Sequence, residues 1–138
     1  MRILLSIVLI GGVVIGVIQF EGELTLNSIT NELEEKDIPY EKTDANENSV
    51  FNMRLQFTRP DVLIISEEDQ LYVYVLPANW SGKYAEKQFR RKTASMDLAS
   101  FEIYSVKNIL IIYQYDRNLD DFNPAIDGAV QELIYKND

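Results

Sequence analysis

The chain has no cysteine and no histidine among its 138 residues. Without cysteine there can be no disulfide, no thiolate nucleophile, no cysteine-bound zinc and no lipid-modified cysteine anchor. The missing histidine removes the usual general base near neutral pH and the commonest nitrogen ligand for transition metals. Positive charge is scarce too: 13 Lys and Arg stand against 22 Asp and Glu, for a net charge of −9. So little surplus cation to displace counterions from a phosphate backbone argues against general nucleic-acid binding. No glycine-rich phosphate loop, nucleophile elbow or metalloprotease helix occurs, and no cofactor is expected.

What is present is a globular composition, with 46% hydrophobic and 25% charged residues, eight Tyr and six Phe. The length suits one domain able to bury a core without staples. Ahead of that domain lies "MRILLSIVLIGGVVIGVIQFEGE", in which only Ser6 is polar between Ile3 and Ile18. As a helix, Ile3 to Phe20 would cover roughly 27 Å, near the lower limit for crossing a bilayer. The expectation is a membrane anchor or uncleaved signal over residues 1–20 and an extracytoplasmic α+β domain over residues 21–138. Arg2 before the run and Glu21 and Glu23 after it place the N-terminus in the cytoplasm by the positive-inside bias. Secretion after signal cleavage is the alternative, weakened by the lack of an A-x-A-like end to the run. Gly12 and Gly16 form a G-x-x-x-G spacing, which suits either small residues facing lipid or a homodimer of close-packed membrane helices.

In the outward region, "LTLNSITNELEEKDI" carries apolar residues at helical spacing, predicting a helix over 26–37 that is ended by Pro39. Residues 43–49 read as a loop. "VFNMRLQFT" alternates Phe51, Met53, Leu55 and Phe57 against polar neighbours, the period of a half-buried strand. Two similar passages follow. "DVLIISEEDQLYVYVLP" is a hairpin followed by the helical "SGKYAEKQFRRKTA"; "FEIYSVKNILIIYQYD" is a hairpin around Lys107-Asn108 followed by the helical "PAIDGAVQELIYK". The order α-β-ββα-ββα implies an antiparallel sheet of four to five strands with helices packed on one face, the fifth strand lying near "PYEKT".

Several residue groups could carry chemistry. Asp116, Asn118, Asp120 and Asp127 fall on positions 1, 3, 5 and 12 of a calcium loop, but Asp121 stands where the turn wants Gly and a strand precedes the loop. A helix beginning explains the same stretch more economically, with Asn123 as N-cap, Pro124 in the first turn and Asp120 and Asp121 complementing the helix dipole. Lys83, Lys87 and Arg91 recur at four-residue intervals along one helical face. That face suits anionic lipid head groups, an anionic wall polymer or an acidic partner, or else a solvated surface opposite the chain's own acidic segment 32–47. Tyr72, Tyr74, Tyr104, Tyr113 and Tyr115 would form a binding platform on an uncovered sheet face, and cross-strand packing on a covered one. Trp80 invites the same choice between binding a partner and covering the hairpin end. Glu67, Glu68 and Asp69 are adjacent in a hairpin turn, where charge serves solubility, and form a poor pair for hydrolysis.

The function expected is a membrane-anchored extracytoplasmic binding or interaction module, non-enzymatic, touching an unidentified protein or anionic surface through Lys83, Lys87 and Arg91. A small calcium-binding surface module and a carboxylate-dependent hydrolase are the alternatives.

Overall fold

The computed structural model describes residues 23–43, 49–98, 100–115 and 123–137. Within the first 22 residues it describes only a two-residue backbone pairing, Leu9–Ile10 with Val13–Val14. The expected membrane helix over 3–20 and the Gly12 and Gly16 spacing otherwise lie outside the described residues. Among the described residues no helix is long and apolar enough to cross a membrane.

The elements in order are α1 (Leu26–Glu35), β1 (Glu41–Thr43), a 3-10 turn (Val50–Asn52), β2 (Asp61–Ile64), β3 (Gln70–Val75), α2 (Ser81–Lys92), β4 (Phe101–Val106), β5 (Ile109–Gln114) and α3 (Pro124–Asn137). The five strands form one antiparallel sheet in the order β1-β2-β3-β5-β4. The fold is α+β, with the fifth strand where "PYEKT" predicts it.

Local chemistry accounts for the helix ends. The Thr25 amide donates to the Ser28 hydroxyl at 2.9 Å, satisfying one group at the start of α1. The helix stops two residues earlier than expected, because Asp37 turns into the left-handed region at φ 58° and the Ile38 amide returns to the Leu33 carbonyl at 2.9 Å. At α3 the Asn123 side chain accepts the Ala125 amide at 2.9 Å, and Pro124 occupies the first turn, where its missing N–H does no harm.

Two expectations need correction. The helices do not pack on one face. Helices α1 and α3 cover one side, with Ile29, Leu33, Val130 and Leu133 against Leu71, Val73, Ile109 and Ile111. Helix α2 covers the other, with Ala85 and Phe89 against Tyr72, Tyr74, Leu110 and Ile112. The physical cause is legible in β3 and β5, "QLYVYV" and "ILIIYQ", which are buried at nearly every position rather than at alternate ones. Strands apolar on both sides need cover on both sides.

Residues 50–58 are not a strand of the sheet. Gln56 and Phe57 adopt φ of 52° and 62°, and the amides and carbonyls of Leu55 and Thr58 exchange two 2.9 Å bonds around them, making a tight turn. Phe57 is 94% exposed, while Phe51 and Leu55 are buried beneath α2. The segment is held by tertiary bonds that outweigh its strand periodicity. The Tyr74 hydroxyl lies 2.7 Å from the Phe51 carbonyl and 2.8 Å from that of Met53, and Gln88 accepts the Gln56 amide at 2.8 Å. It serves as the second cover of the α2 face, where Phe51, Phe89 and Phe101 pack with ring centroids 5.6–6.0 Å apart.

Candidate functional site

The β4–β5 hairpin turns through Lys107 and Asn108, with Val106 paired to Ile109. Lys107 sits at φ 51°, in the left-handed region where a hairpin of this length favours Asn or Gly. Surrounding bonds hold it there. The Asn108 side chain, 1% exposed, accepts the Leu24 amide at 2.7 Å and donates to the carbonyls of Leu24 at 2.8 Å and Leu76 at 3.1 Å. The Asn108 carbonyl accepts the Leu76 amide at 2.8 Å, and the Lys107 carbonyl accepts the Gly82 amide at 2.9 Å. One turn thus gathers the start of the domain, the end of β3 and the beginning of α2.

Gly82 makes this close approach possible. A Cβ at that position would lie 2.6 Å from the Lys107 carbonyl oxygen and 2.8 Å from that of Ile109, so any larger residue would push α2 off the turn. With the helix seated there, its first two turns meet Lys107. Asn79, Trp80, Lys83, Tyr84, Lys87 and Lys107 line an open groove of about 410 Å³. Trp80 is 65% and Tyr84 55% exposed, with rings edge to face at 5.3 Å. The Lys87 ammonium stands 5.8 Å from the centre of the Tyr84 ring, within cation–π range.

The groove therefore carries three ammonium groups and two exposed aromatic rings, with no carboxylate in its lining, in a chain of net charge −9. Among the described residues, Lys83, Lys87 and Lys107 make no ion pair. The peptide dipoles of α2 add positive potential at this end. Such a surface can neutralise an anion and hold an apolar body beside it.

Of the residues singled out in the sequence, Lys83 and Lys87 come together here, and Lys107 joins them without having been expected. Arg91 does not line the groove; it lies in the last turn of α2 with Arg90 and Lys92, where positive charge complements the helix C-terminus. The lone glycine at the start of a helical pattern was the available signal for Lys107, because such a glycine often marks a close packing contact. Of the acidic segment 32–47 weighed as facing this helix, residues 44–47 lie outside the described residues, and α1 lies on the opposite face of the sheet, where Glu32 and Glu35 meet Lys136 of α3 at 2.8 and 3.6 Å. The hydrogen bond to Glu32 raises the Lys136 pKa, outweighing desolvation.

The tyrosines form no platform. Tyr72 and Tyr74 are buried on the α2 face, and Tyr104 and Tyr113 on the α1/α3 face. The Tyr104 hydroxyl donates to Asp127 at 2.8 Å, and Tyr113 donates to Asp69 at 2.6 Å while accepting the Asn123 amide at 2.9 Å. Burial first, and the adjoining carboxylate second, push the pKa of Tyr104 and of Tyr113 well above the usual phenol value. Burial also raises Tyr74.

Asp116, Asn118, Asp120 and Asp121 of the calcium reading lie outside the described residues. Asp127, its twelfth position, is engaged by Tyr104, and Asn123 and Pro124 begin α3 as the helix reading expects. Among the described residues no three acidic, His or Cys side chains are grouped to hold a metal. Glu67 and Glu68 are exposed in the β2–β3 turn, where Asp69 accepts from Ser66 and Tyr113. When the chain is compared with known proteins, no family model, no curated protein and no solved structure matches it, so the groove's chemistry is what bears on function.

Proposed function

We propose that this protein is a non-catalytic binding module, held at the membrane by residues 3–20 and presenting residues 21–138 on the extracytoplasmic side. It engages an anionic partner in the groove of Trp80, Tyr84, Lys83, Lys87 and Lys107. The observation that carries the reading is the concentration of three lysines around two exposed rings, with no carboxylate in the groove's lining, in a strongly acidic chain. Two large rings left exposed side by side, with three lysines around them, fit a surface completed by something else. Trp and Tyr are also among the residue types enriched in binding hot spots.

Amine acylation of the full-length protein in its native membrane, against the same protein in detergent, tests this. Lys83, Lys87 and Lys107 are expected to be several-fold protected in the membrane relative to Lys92. Equal labelling of all four overturns the reading. Lys83→Glu combined with Lys87→Glu is expected to abolish protection at Lys107, while Arg91→Glu leaves it in place.

A further inference from the structure

We infer that the partner occupying the groove is the anionic lipid surface in which the chain's own N-terminus is anchored. The inference rests on the membrane-anchored reading above and names the class of partner at that same site. Its first support is where the domain begins. The Leu24 amide and carbonyl are both bonded to the side chain of Asn108, the neighbour of Lys107. From Phe20, the end of the apolar run, to Leu24 the chain has four residues and can reach no more than about 14 Å. The end of the sheet carrying the Lys107 turn, the start of α2 and the groove is thereby kept close to the bilayer. Glu23, one residue before the clamp, does not line the groove.

Its second support is chemical complementarity. Indole and phenol rings settle at the boundary between head groups and acyl chains, because each joins an apolar body to a polar tip. Lysines beside them meet lipid phosphates, each changing occupancy at an anionic leaflet by about fivefold. Trp80 and Tyr84 protrude from the α2 end of the molecule, and Lys83, Lys87 and Lys107 surround them. Arg91, two turns further along α2, is outside this footprint.

Trp80 is the chain's only tryptophan, so its fluorescence reports on the groove alone. Full-length protein is reconstituted into vesicles of phosphatidylcholine, or of phosphatidylcholine mixed with phosphatidylglycerol, each with and without acyl chains brominated near the head group. In the anionic vesicles Trp80 emission is expected to shift to shorter wavelength and to be quenched by the brominated chains. High salt should reverse both effects, as should Lys83→Glu with Lys87→Glu, which changes only exposed side chains. Quenching of equal size in neutral vesicles and insensitive to salt would mean mere tethering and would overturn the inference. So would solvent-like emission in anionic vesicles. If the groove lysines are still protected in native membranes in either case, the binding reading survives with a non-lipid partner. If they are unprotected as well, both fall together.

Discussion

The two ββα units, β2-β3-α2 and β4-β5-α3, run in the same order and meet along β3 and β5, yet their helices lie on opposite faces of the sheet. A two-fold axis normal to the sheet would relate the hairpins in position and direction, but it would keep both helices on one side. The recurrence therefore stops at the hairpins. What separates the units is the company each helix keeps. Helix α3 shares its face with α1, to which Lys136 ties it through Glu32. Helix α2 is the lone regular helix on its face among the described residues, assisted by the irregular segment 50–58 and seated on the Lys107–Asn108 turn by Gly82. A helix without a helical neighbour leaves more of its outer side to solvent, and that is where the groove lies.

This comparison can be broken from either side. Phe89→Ala removes the ring that packs against both Phe51 and Phe101, and is expected to cost about 3–5 kcal/mol by urea denaturation, against about 2–5 kcal/mol for Leu133→Ala on the other face. Both should unfold in one transition if the doubly buried β3 and β5 couple the faces. Two steps in Phe89→Ala alone would show that the α2 face opens independently. Asn108→Ala leaves one amide and two carbonyls without their partner and is expected to cost about 3 kcal/mol, with faster hydrogen exchange at Leu24. Unchanged exchange there would dismiss the clamp.

Gly82→Ala is expected to cost about 2 kcal/mol, since backbone carbonyls cannot yield as flexible side chains do. A shift in Trp80 emission should accompany it as α2 leaves the turn. Full stability with unaltered emission would show that the glycine is not what seats α2. Tyr104→Phe is the mildest, at about 1 kcal/mol near neutral pH. Its larger signature lies in alkali. The folded pKa values of Tyr74, Tyr104 and Tyr113 are raised, so below the unfolded value near 10 their contribution is complete. As pH climbs past about 10 the unfolded chain loses those protons first, and stability falls. Denaturation midpoints measured across that range should decline less steeply for Tyr104→Phe than for the parent chain, and identical slopes would remove Tyr104 from the alkaline transition.

Much of the domain was legible from local pattern. Both hairpins, their turns, the short fifth strand and the start of α3 at Asn123-Pro124 follow from periodicity, turn residues and capping, all of which act within a few residues. The basic face of α2 was legible as charge at helical spacing, and Lys83 and Lys87 are indeed exposed. Segment 50–58 was misread because its alternation satisfies a strand, whereas the bonds that hold it come from Tyr74 and Gln88, more than twenty residues away. Lys107 was missed for the same reason: nothing near it announces that α2 docks against its carbonyl.

By itself, then, the sequence determined the α+β class, the positions of most elements, the absence of thiol and imidazole side chains, and an apolar run from Ile3 to Ile18 broken only by Ser6. Only the tertiary structure decided which sheet face each helix covers, that the strand tyrosines are buried rather than displayed, and that Lys107 joins Lys83 and Lys87 around Trp80 and Tyr84. Local conformation answers to neighbours in the chain, but burial on two faces and the meeting of a hairpin turn with a helix start depend on contacts between distant residues, which no short pattern encodes.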